Sequence, residues 1–258
     1  MRRRRSTGAS RALVFAMLLT SVACLASTQS ALGQTLTHWW QANGSTVDSI
    51  TNKSGALVGG TAYTSGNWGG EAFAFNGTNS AVELESKNGS GGHLLGTSFK
   101  SPFTIAMWVN LASAPVGTEY VLAEFTYGTK THNNQATFWL ENGVCSSGGA
   151  LLSFRGYEQW SVPIDLGSLV GSWNLLTAEY HGGKANSASS YSLYLNGIQL
   201  TGTPVDCGTE GGSAQNDNTL GWDHHGYFWY DGLMDDIQIY NSALSNEQVL
   251  SLVTNETL

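Results

Sequence analysis

Short runs in which apolar and polar residues alternate recur along the chain, separated by turns rich in Gly, Asn and Ser. A period of two is typical of β-strands that bury one face. The clearest run is 103–111 (FTIAMWVNL), whose alternate apolar residues share one face while Trp108 lies on the other, so we expect both faces to be covered. Further strands are predicted at 72–75, 81–85, 120–125, 137–140, 151–154, 173–180, 191–195, 198–200 and 233–240.

Two local signals add a hairpin and a helix. Asn196-Gly197 follows one predicted strand and precedes another, and this pair supplies the positive φ angles of a tight turn. Ser245 and Gln248 fit a capping box ahead of an apolar run that begins at Val249. We find no internal repeat. The pattern predicts one all-β domain with one short C-terminal helix.

The motifs HWWQANGSTVDS, WGGEAFAFNGTNSAVEL, FTIAMWVNL, YSLYLNG and YDGLMDDIQIYNSALSNEQV occur in this order over roughly residues 36–253. Together they resemble the laminin-G-like domains of bacterial secreted proteins, within the concanavalin A-like lectin/glucanase superfamily. The resemblance implies a two-sheet antiparallel jelly-roll sandwich in which the first and last motifs are neighbours. Family members mostly bind polysaccharide, glycan or protein, often with calcium. Asn43 and Asn79-Ser80 depart from the family pattern, and both departures remove loop carboxylates.

Residues 1–33 have the pattern of a signal peptide. A basic start (RRRR) precedes an apolar run from Ala12 to Ala26, and small residues end at Gly33. We therefore expect a mature domain at 34–258 that is extracellular, periplasmic or at the cell surface, with a lipid anchor at Cys24 as the alternative. The apolar run is short for a membrane span, and no other segment qualifies, so none is expected in the mature form.

Cleavage after Gly33 leaves two cysteines, Cys145 and Cys207. An even number of cysteines in an oxidising compartment favours one disulfide, and two buried thiols are the alternative.

Charge argues against nucleic acid as a partner. Without the five arginines of residues 1–33, six basic residues face 19 acidic ones, a net charge of −13 before histidine. Such a surface repels phosphate backbones, and no basic stripe offsets it. An acidic surface of this kind is better suited to binding cations and neutral polyols.

Three aspartates are the candidate calcium ligands. Alternation along 233–240 places Asp235 on the face of Ile237 and Ile239, at the rim of an apolar surface, where a carboxylate needs a partner. Either backbone N–H groups donate hydrogen bonds to the Asp235 carboxylate, or it binds a structural calcium ion. In the second case Asp48 and Asp231 are the further candidate ligands.

Five aromatic residues outside the predicted core are the candidate ligand-binding residues, because sugar rings stack on aromatic faces while polar neighbours bind hydroxyls. These candidates are Tyr157, Trp160, Trp222, Tyr227 and Trp229. The alternative is that the tryptophans pack between the sheets. Together with the family resemblance, the five aromatic candidates predict a secreted, non-catalytic carbohydrate-binding module whose partner is a polysaccharide or glycan.

Two rival functions remain open. One is a glycan-cleaving hydrolase or lyase, although no complete catalytic motif is found. Glu83 and Glu85 lie two positions apart on one predicted strand and therefore share a face. This pair, or the acidic residues of 223–236, could supply the catalytic carboxyl groups. Alternatively, Val82 and Leu84 face inward and the glutamates are simply solvated. The other rival is an adhesion module that binds a cell-surface protein.

The cysteine assignment is directly testable. We expect mass spectrometry of the exported protein, digested without reductant, to show a peptide pair joined through Cys145 and Cys207. Two free thiols in that material would contradict the disulfide.

Overall fold

Strands make up nearly all of the secondary structure. The computed structural model describes residues 34–84, 94–95, 101–126, 135–143, 149–155, 159–183, 187–201, 218–223, 226–255 and 258. Within these ranges the strands are β1 (Leu36–Trp40), β2 (Ala56–Val58), β3 (Ala62–Ser65), β4 (Glu71–Asn76), β5 (Ala81–Glu83), β6 (Phe103–Leu111), β7 (Thr118–Thr126), β8 (Gln135–Asn142), β9 (Ala150–Arg155), β10 (Gln159–Pro163), β11 (Asn174–Tyr180), β12 (Tyr191–Leu195), β13 (Ile198–Gln199), β14 (Thr219–Leu220) and β15 (Asp231–Tyr240).

The α-helix of the described residues is α1 (Asn246–Ser251). Nothing helical in those ranges has both the length and the apolar character needed to cross a bilayer. Several predictions fall outside the described residues, namely the signal peptide at 1–33 with Cys24, the Cys145–Cys207 disulfide, Tyr157 and Glu85.

The strands form two antiparallel sheets. The eight-stranded sheet has the order β13-β12-β11-β6-β15-β4-β3, with β1 also paired to β15, and the seven-stranded sheet has the order β10-β9-β8-β7-β14-β5-β2. The main core contains side chains of both sheets, including Phe73, Phe138, Phe154 and Ile237, so the sheets pack face to face. The all-β jelly-roll sandwich predicted from the sequence is confirmed.

The long strand β15 brings the two ends of the domain together. Its first half pairs with β4, its second half pairs with β1 on the same side, and β6 lies along its other side. Trp40 of β1 faces Ile237 of β15 across this pairing. The first and last sequence motifs are therefore neighbours, as expected.

Both faces of β6 are buried, as its sequence predicts. Ile105, Met107, Val109 and Leu111 belong to the core between the sheets. Trp108 points to the opposite face, where it joins a second apolar cluster with residues of α1. The eight-stranded sheet thus carries apolar clusters on both sides.

The predicted placement of Asp235 beside Ile237 and Ile239 is wrong. Strand β15 has a bulge between Asp235 and Gln238, and Asp236 has φ +47° within it. Because a bulge adds a residue, the alternation shifts by one position. Asp235 therefore pairs with Trp108 on the outer face, whereas the isoleucines face the main core.

The predicted turn and helix cap are both present. Asn196 and Gly197 have φ of 50° and 76°, the positive pair that a tight two-residue hairpin needs. Ser245 accepts a hydrogen bond from the backbone N–H of Gln248, whose side chain in turn accepts one from the Ser245 backbone. This reciprocal pair fixes the start of α1 on the outer face of the eight-stranded sheet.

A buried carboxyl lies where the segment before α1 meets this sheet. Glu179 of β11 accepts hydrogen bonds from the Tyr194 hydroxyl (2.9 Å) and the Leu244 backbone N–H (3.1 Å). His181 Nε2 lies 3.9 Å from its Oε2. Burial raises the pKa of Glu179 to about 7, and the hydrogen bonds only partly offset this rise. The folded state therefore holds a proton that the unfolded chain releases at lower pH.

This carboxyl should make stability depend on pH. The pKa of Glu179 in the folded state lies above the ordinary value of 4.5. The stability that the protonated carboxyl contributes is therefore complete below about pH 4.5 and is lost as pH rises through about 7. The free energy of unfolding should fall by roughly 3 kcal/mol over this range. We expect urea unfolding at about pH 5 and pH 8 to show most of this loss in the wild type and little of it in Glu179→Gln. Glu247→Gln, which changes an exposed glutamate, serves as the control. An equal pH dependence in all three proteins would contradict the assignment.

Candidate functional site

A loop at residues 221–230, here called the aromatic loop, joins β14 of one sheet to β15 of the other. Its described residues are 221–223 and 226–230. Trp222 and Trp229 face each other across an antiparallel bridge, and their rings are stacked with centroids 5.4 Å apart and planes 12° apart. The loop therefore presents a pair of parallel indoles at one end of the sandwich.

A glycine sets the entry to the aromatic loop. Gly221 donates its backbone N–H to the carbonyl of Leu122 (2.9 Å) and has φ +75°. A Cβ at this position would lie 2.4 Å from the ring of Phe75. Both the left-handed backbone and the close approach to the core require glycine here.

A buried aspartate closes the loop. Oδ1 of Asp223 accepts hydrogen bonds from the backbone N–H groups of Tyr227 (2.9 Å) and Phe228 (3.1 Å). The Asp223 carbonyl also accepts the Gly226 N–H (3.0 Å). These contacts tie Asp223 to residues 226–228, and Tyr227 among them is 76% exposed.

The exit from the loop is anchored by a buried tyrosine. The Tyr230 hydroxyl donates toward the carbonyls of Asn110 (3.2 Å) and Leu233 (3.0 Å). Burial holds the pKa of Tyr230 well above its ordinary value, so the hydroxyl keeps its proton and remains a donor. Its ring packs edge-on against Phe75 at 5.5 Å, so both ends of the loop contact the same core residue.

The predicted aromatic residues fall into two places. Trp222, Tyr227 and Trp229 all lie in the aromatic loop, where the two tryptophans stack on each other. Trp160 lies on β10, packs against the main core and has its ring centroid 5.9 Å from that of Tyr191. Packing of a tryptophan against the core is the alternative that the sequence analysis left open, so we leave Trp160 out of the candidate site. Contact between Trp160 and a ligand stays a prediction.

The carboxylate of Asp48 is saturated by protein donors. Its oxygens accept hydrogen bonds from the backbone N–H groups of Trp39 and Ile50 (both 2.9 Å), the Thr51 hydroxyl (2.6 Å) and Nδ1 of His38 (2.7 Å). Together these hydrogen bonds outweigh the cost of burial and lower the pKa of Asp48 to about 2. The donor set fits a structural carboxylate and does not fit a calcium ligand.

The other two predicted metal ligands lie apart from Asp48. Asp235 accepts the backbone N–H groups of Asn67 (2.7 Å) and Asp236 (2.9 Å), which is the hydrogen-bonded alternative to calcium. Asp231 accepts the Ser113 hydroxyl at 3.2 Å. Within the described ranges no three His, Cys, Asp or Glu side chains form a group suited to a metal. Calcium bound elsewhere in the chain stays a prediction.

A row of polar residues crosses the outer face of the seven-stranded sheet. Register places these residues side by side on neighbouring strands, and paired residues share a face. In order from β10 to β5, the row is Gln159, Arg155, Thr137, Glu124, Thr219 and Glu83. Two carboxylates thus flank Thr219, on strands whose spacing sets their Cα atoms about 10 Å apart.

A buried network lies beside this polar row. Glu141 accepts the Ser153 hydroxyl (2.7 Å), and Ser153 and Ser161 share a further hydrogen bond (2.7 Å). Burial raises the pKa of Glu141. The Thr137 hydroxyl and the Trp139 indole nitrogen are buried here with no hydrogen-bond partner among the described atoms. Such groups call for water or a ligand.

The outer-face residues Glu124, Glu141 and Arg155 are absent from the candidates predicted from the sequence. A signal was available, because Thr137, Trp139 and Glu141 occupy alternate positions of one strand and must share a face. The apolar residues of these strands dominate the pattern and obscure this polar alternation. The lateral row itself depends on strand order, which no single segment contains.

Comparison with known proteins gives the chain a family and a fold. A family model described as the concanavalin A-like lectin/glucanases superfamily, Laminin G type 3, matches residues 76–250. No curated protein matches the chain.

Solved structures share the fold at low sequence identity. Domain 4 of AbnA, a GH43 extracellular arabinanase from Geobacillus stearothermophilus solved with arabinotriose, matches with TM-score 0.55 and 20% identity over 86% of this chain and 99% of that domain. The receptor binding domain of botulinum neurotoxin C/D mosaic serotype matches with TM-score 0.57 and 14% identity over 85% of this chain. The binding domain of Paraclostridial Mosquitocidal Protein 1 matches with TM-score 0.53 and 13% identity over 86% of this chain. The match covers 51% and 52% of these toxin domains.

The role of Asp223 in shaping the aromatic loop can be tested by hydrogen exchange. We expect Asp223→Ala to speed exchange of the Tyr227 and Phe228 amides by at least about tenfold, because a hydrogen bond to a carboxylate is lost from each. Asp165→Ala is the control, since Asp165 accepts a backbone N–H from Gly167 in a different loop. Unchanged exchange at Tyr227 and Phe228 would show that the loop holds its shape without the aspartate.

Proposed function

The chain belongs to the laminin-G-like family of the concanavalin A-like lectin/glucanase superfamily, and on that premise we propose that it is a secreted, non-catalytic carbohydrate-binding protein. The observation that carries the proposal is the aromatic loop, which holds the stacked Trp222–Trp229 pair and an exposed Tyr227. Aromatic rings combined with polar neighbours in a loop are the kind of surface on which sugar rings stack.

The mechanism of binding follows from the loop geometry. One face of each indole is covered by the other and both tryptophans are half-buried. The exposed ring of Tyr227 is therefore the main stacking surface for the apolar C–H face of a sugar. The hydrogen bonds to Asp223 hold the backbone of Tyr227 and Phe228 before the ligand arrives, which lowers the entropy cost of binding. Affinity per sugar is expected to be modest, because sugar hydroxyls already bond well to water.

The fold neighbours suggest which ligand to try first. The AbnA domain was solved with arabinotriose, and it shares the fold of this chain over nearly its whole length. Arabino-oligosaccharides are therefore a reasonable first ligand, together with β-glucans and host-type glycans. The toxin neighbours are receptor-binding or binding domains, so a cell-surface glycoconjugate or protein belongs in the same panel.

A second candidate function rests on the outer polar row. Glu83 and Glu124 flank Thr219 in one row of the seven-stranded sheet. In inverting glycosidases, two carboxyl groups about 6.5–9.5 Å apart act as acid and base on opposite sides of the scissile bond. Long side chains on strands two spacings apart can reach that separation. This pair of carboxyl groups, of which Glu124 is buried, makes glycan hydrolysis the enzymatic activity to test.

A binding panel run with a reducing-sugar assay separates the two candidates. We expect a polysaccharide or oligosaccharide to bind without release of reducing ends, in calcium and in chelator alike. Tyr227→Ala should weaken that binding at least about fivefold, because it removes one stacking surface. Tyr227 is mostly exposed, so the melting temperature should not change.

The matched control is Trp68→Ala, which removes a 40% exposed aromatic residue that packs against Trp108 away from the aromatic loop. Its ligand affinity should equal that of the wild type. Release of reducing ends that Glu124→Gln abolishes would replace the binding proposal with the hydrolase. Binding that Tyr227→Ala leaves intact would move the site off the aromatic loop.

A further inference from the structure

A cavity of about 300 Å³ opens at the end of the main core, away from the aromatic loop and the outer polar row. It lies between β1, the start of β6, the end of β15 and the segment at 94–95. Its apolar wall includes the buried residues Leu94, Leu95, Phe103 and Ile239. The volume lies at the lower end of the range for small-molecule sites in proteins.

A single oriented imidazole lies on the wall of this cavity. His38 stacks on the core residue Trp40, with ring centroids 5.5 Å apart and planes 5° apart. Its Nδ1 lies 2.7 Å from Oδ2 of Asp48. Stacking fixes the plane of the ring and the carboxylate fixes its rotation, so the imidazole is held in one orientation.

The carboxylate also decides where the proton of the neutral ring lies. The oxygens of Asp48 accept hydrogen bonds from the backbone N–H groups of Trp39 and Ile50 and from the Thr51 hydroxyl, so this carboxylate acts as an acceptor. The hydrogen between the two groups therefore belongs to Nδ1. In the neutral ring Nε2 carries a lone pair, and this atom accepts a hydrogen bond from none of the described residues.

Two further polar atoms of the cavity wall are already engaged. The Thr37 hydroxyl donates to the carbonyl of Ile239 (2.9 Å), and Oδ1 of Asn241 accepts the backbone N–H of Thr35 (2.9 Å). Ser101 and Asn241 also line the cavity but are exposed to solvent, so His38 supplies the imidazole acceptor of a mainly apolar wall. A complementary ligand has an apolar body and one hydrogen-bond donor at its end.

We propose that this cavity binds a small aromatic alcohol of the phenol class, with its hydroxyl donating to Nε2 of His38 and its ring against Leu94, Leu95 and Phe103. The ligand would occupy a site that shares no residue with the aromatic loop. The inference therefore does not depend on carbohydrate binding. It assigns His38 and Asp48 a binding role in place of the metal role expected for Asp48.

The test compares two probes of nearly equal shape, p-cresol and toluene, which differ by the hydroxyl. We expect p-cresol to bind the mature protein at about pH 8 at least about fivefold more tightly than toluene, because a net hydrogen bond is gained. Long-range ¹H–¹⁵N spectra of the histidine rings should show the His38 Nε2 resonance moving on addition of p-cresol. Equal affinity for the two probes would overturn the proposal.

The variant His38→Phe keeps an aromatic ring on Trp40 and removes the acceptor. It should lose the preference for p-cresol while retaining toluene binding, and His181→Phe, which alters a histidine outside the cavity, should keep the preference. If His38→Phe does not fold, nuclear Overhauser contacts between p-cresol and the methyl groups of Leu94 and Leu95 in the wild type decide the matter. Contacts confined to Trp222 or Tyr227 would also overturn the proposal.

Discussion

The pairing of β15 with three other strands is the constraint on which the domain depends. Backbone hydrogen bonds tie its first half to β4, its second half to β1 and its other edge to β6. One strand thereby joins the beginning, the middle and the end of the domain into a single sheet. The same strand begins where the aromatic loop ends, with Tyr230 buried at the junction. The position of the loop is thus set by the strand that organises the sheet.

Much of the fold could be predicted because strand side chains alternate strictly. The run at 103–111 has one face in the main core and the other under α1, and each assignment follows from a period of two. Asp235 shows where this reasoning fails. A bulge centred on Asp236, a non-glycine residue with positive φ, shifts the alternation by one position, and no residue type in LMDDIQIY announces it.

The candidate site could be predicted only in part, for a similar physical reason. Composition identified Trp222, Tyr227 and Trp229, because aromatics mixed with polar residues in a glycine-flanked loop suit an exposed surface. Trp160 has similar neighbours in sequence, yet its strand packs it against the core. The stack of Trp222 on Trp229 and the row from Arg155 to Glu83 are relations between strands, so they arise from tertiary register rather than from any local pattern.

The way in which the aromatic loop is attached has a mechanical consequence. It leaves the seven-stranded sheet at Gly221 and enters the eight-stranded sheet at Asp231. A large, surface-fixed polymer held by this loop would pull on both layers at once. The load would run along the strands of the sandwich and be shared by many backbone hydrogen bonds in shear, instead of peeling one edge strand after another. Under the proposed function, such an attachment would resist detachment of the domain from an immobile ligand under drag.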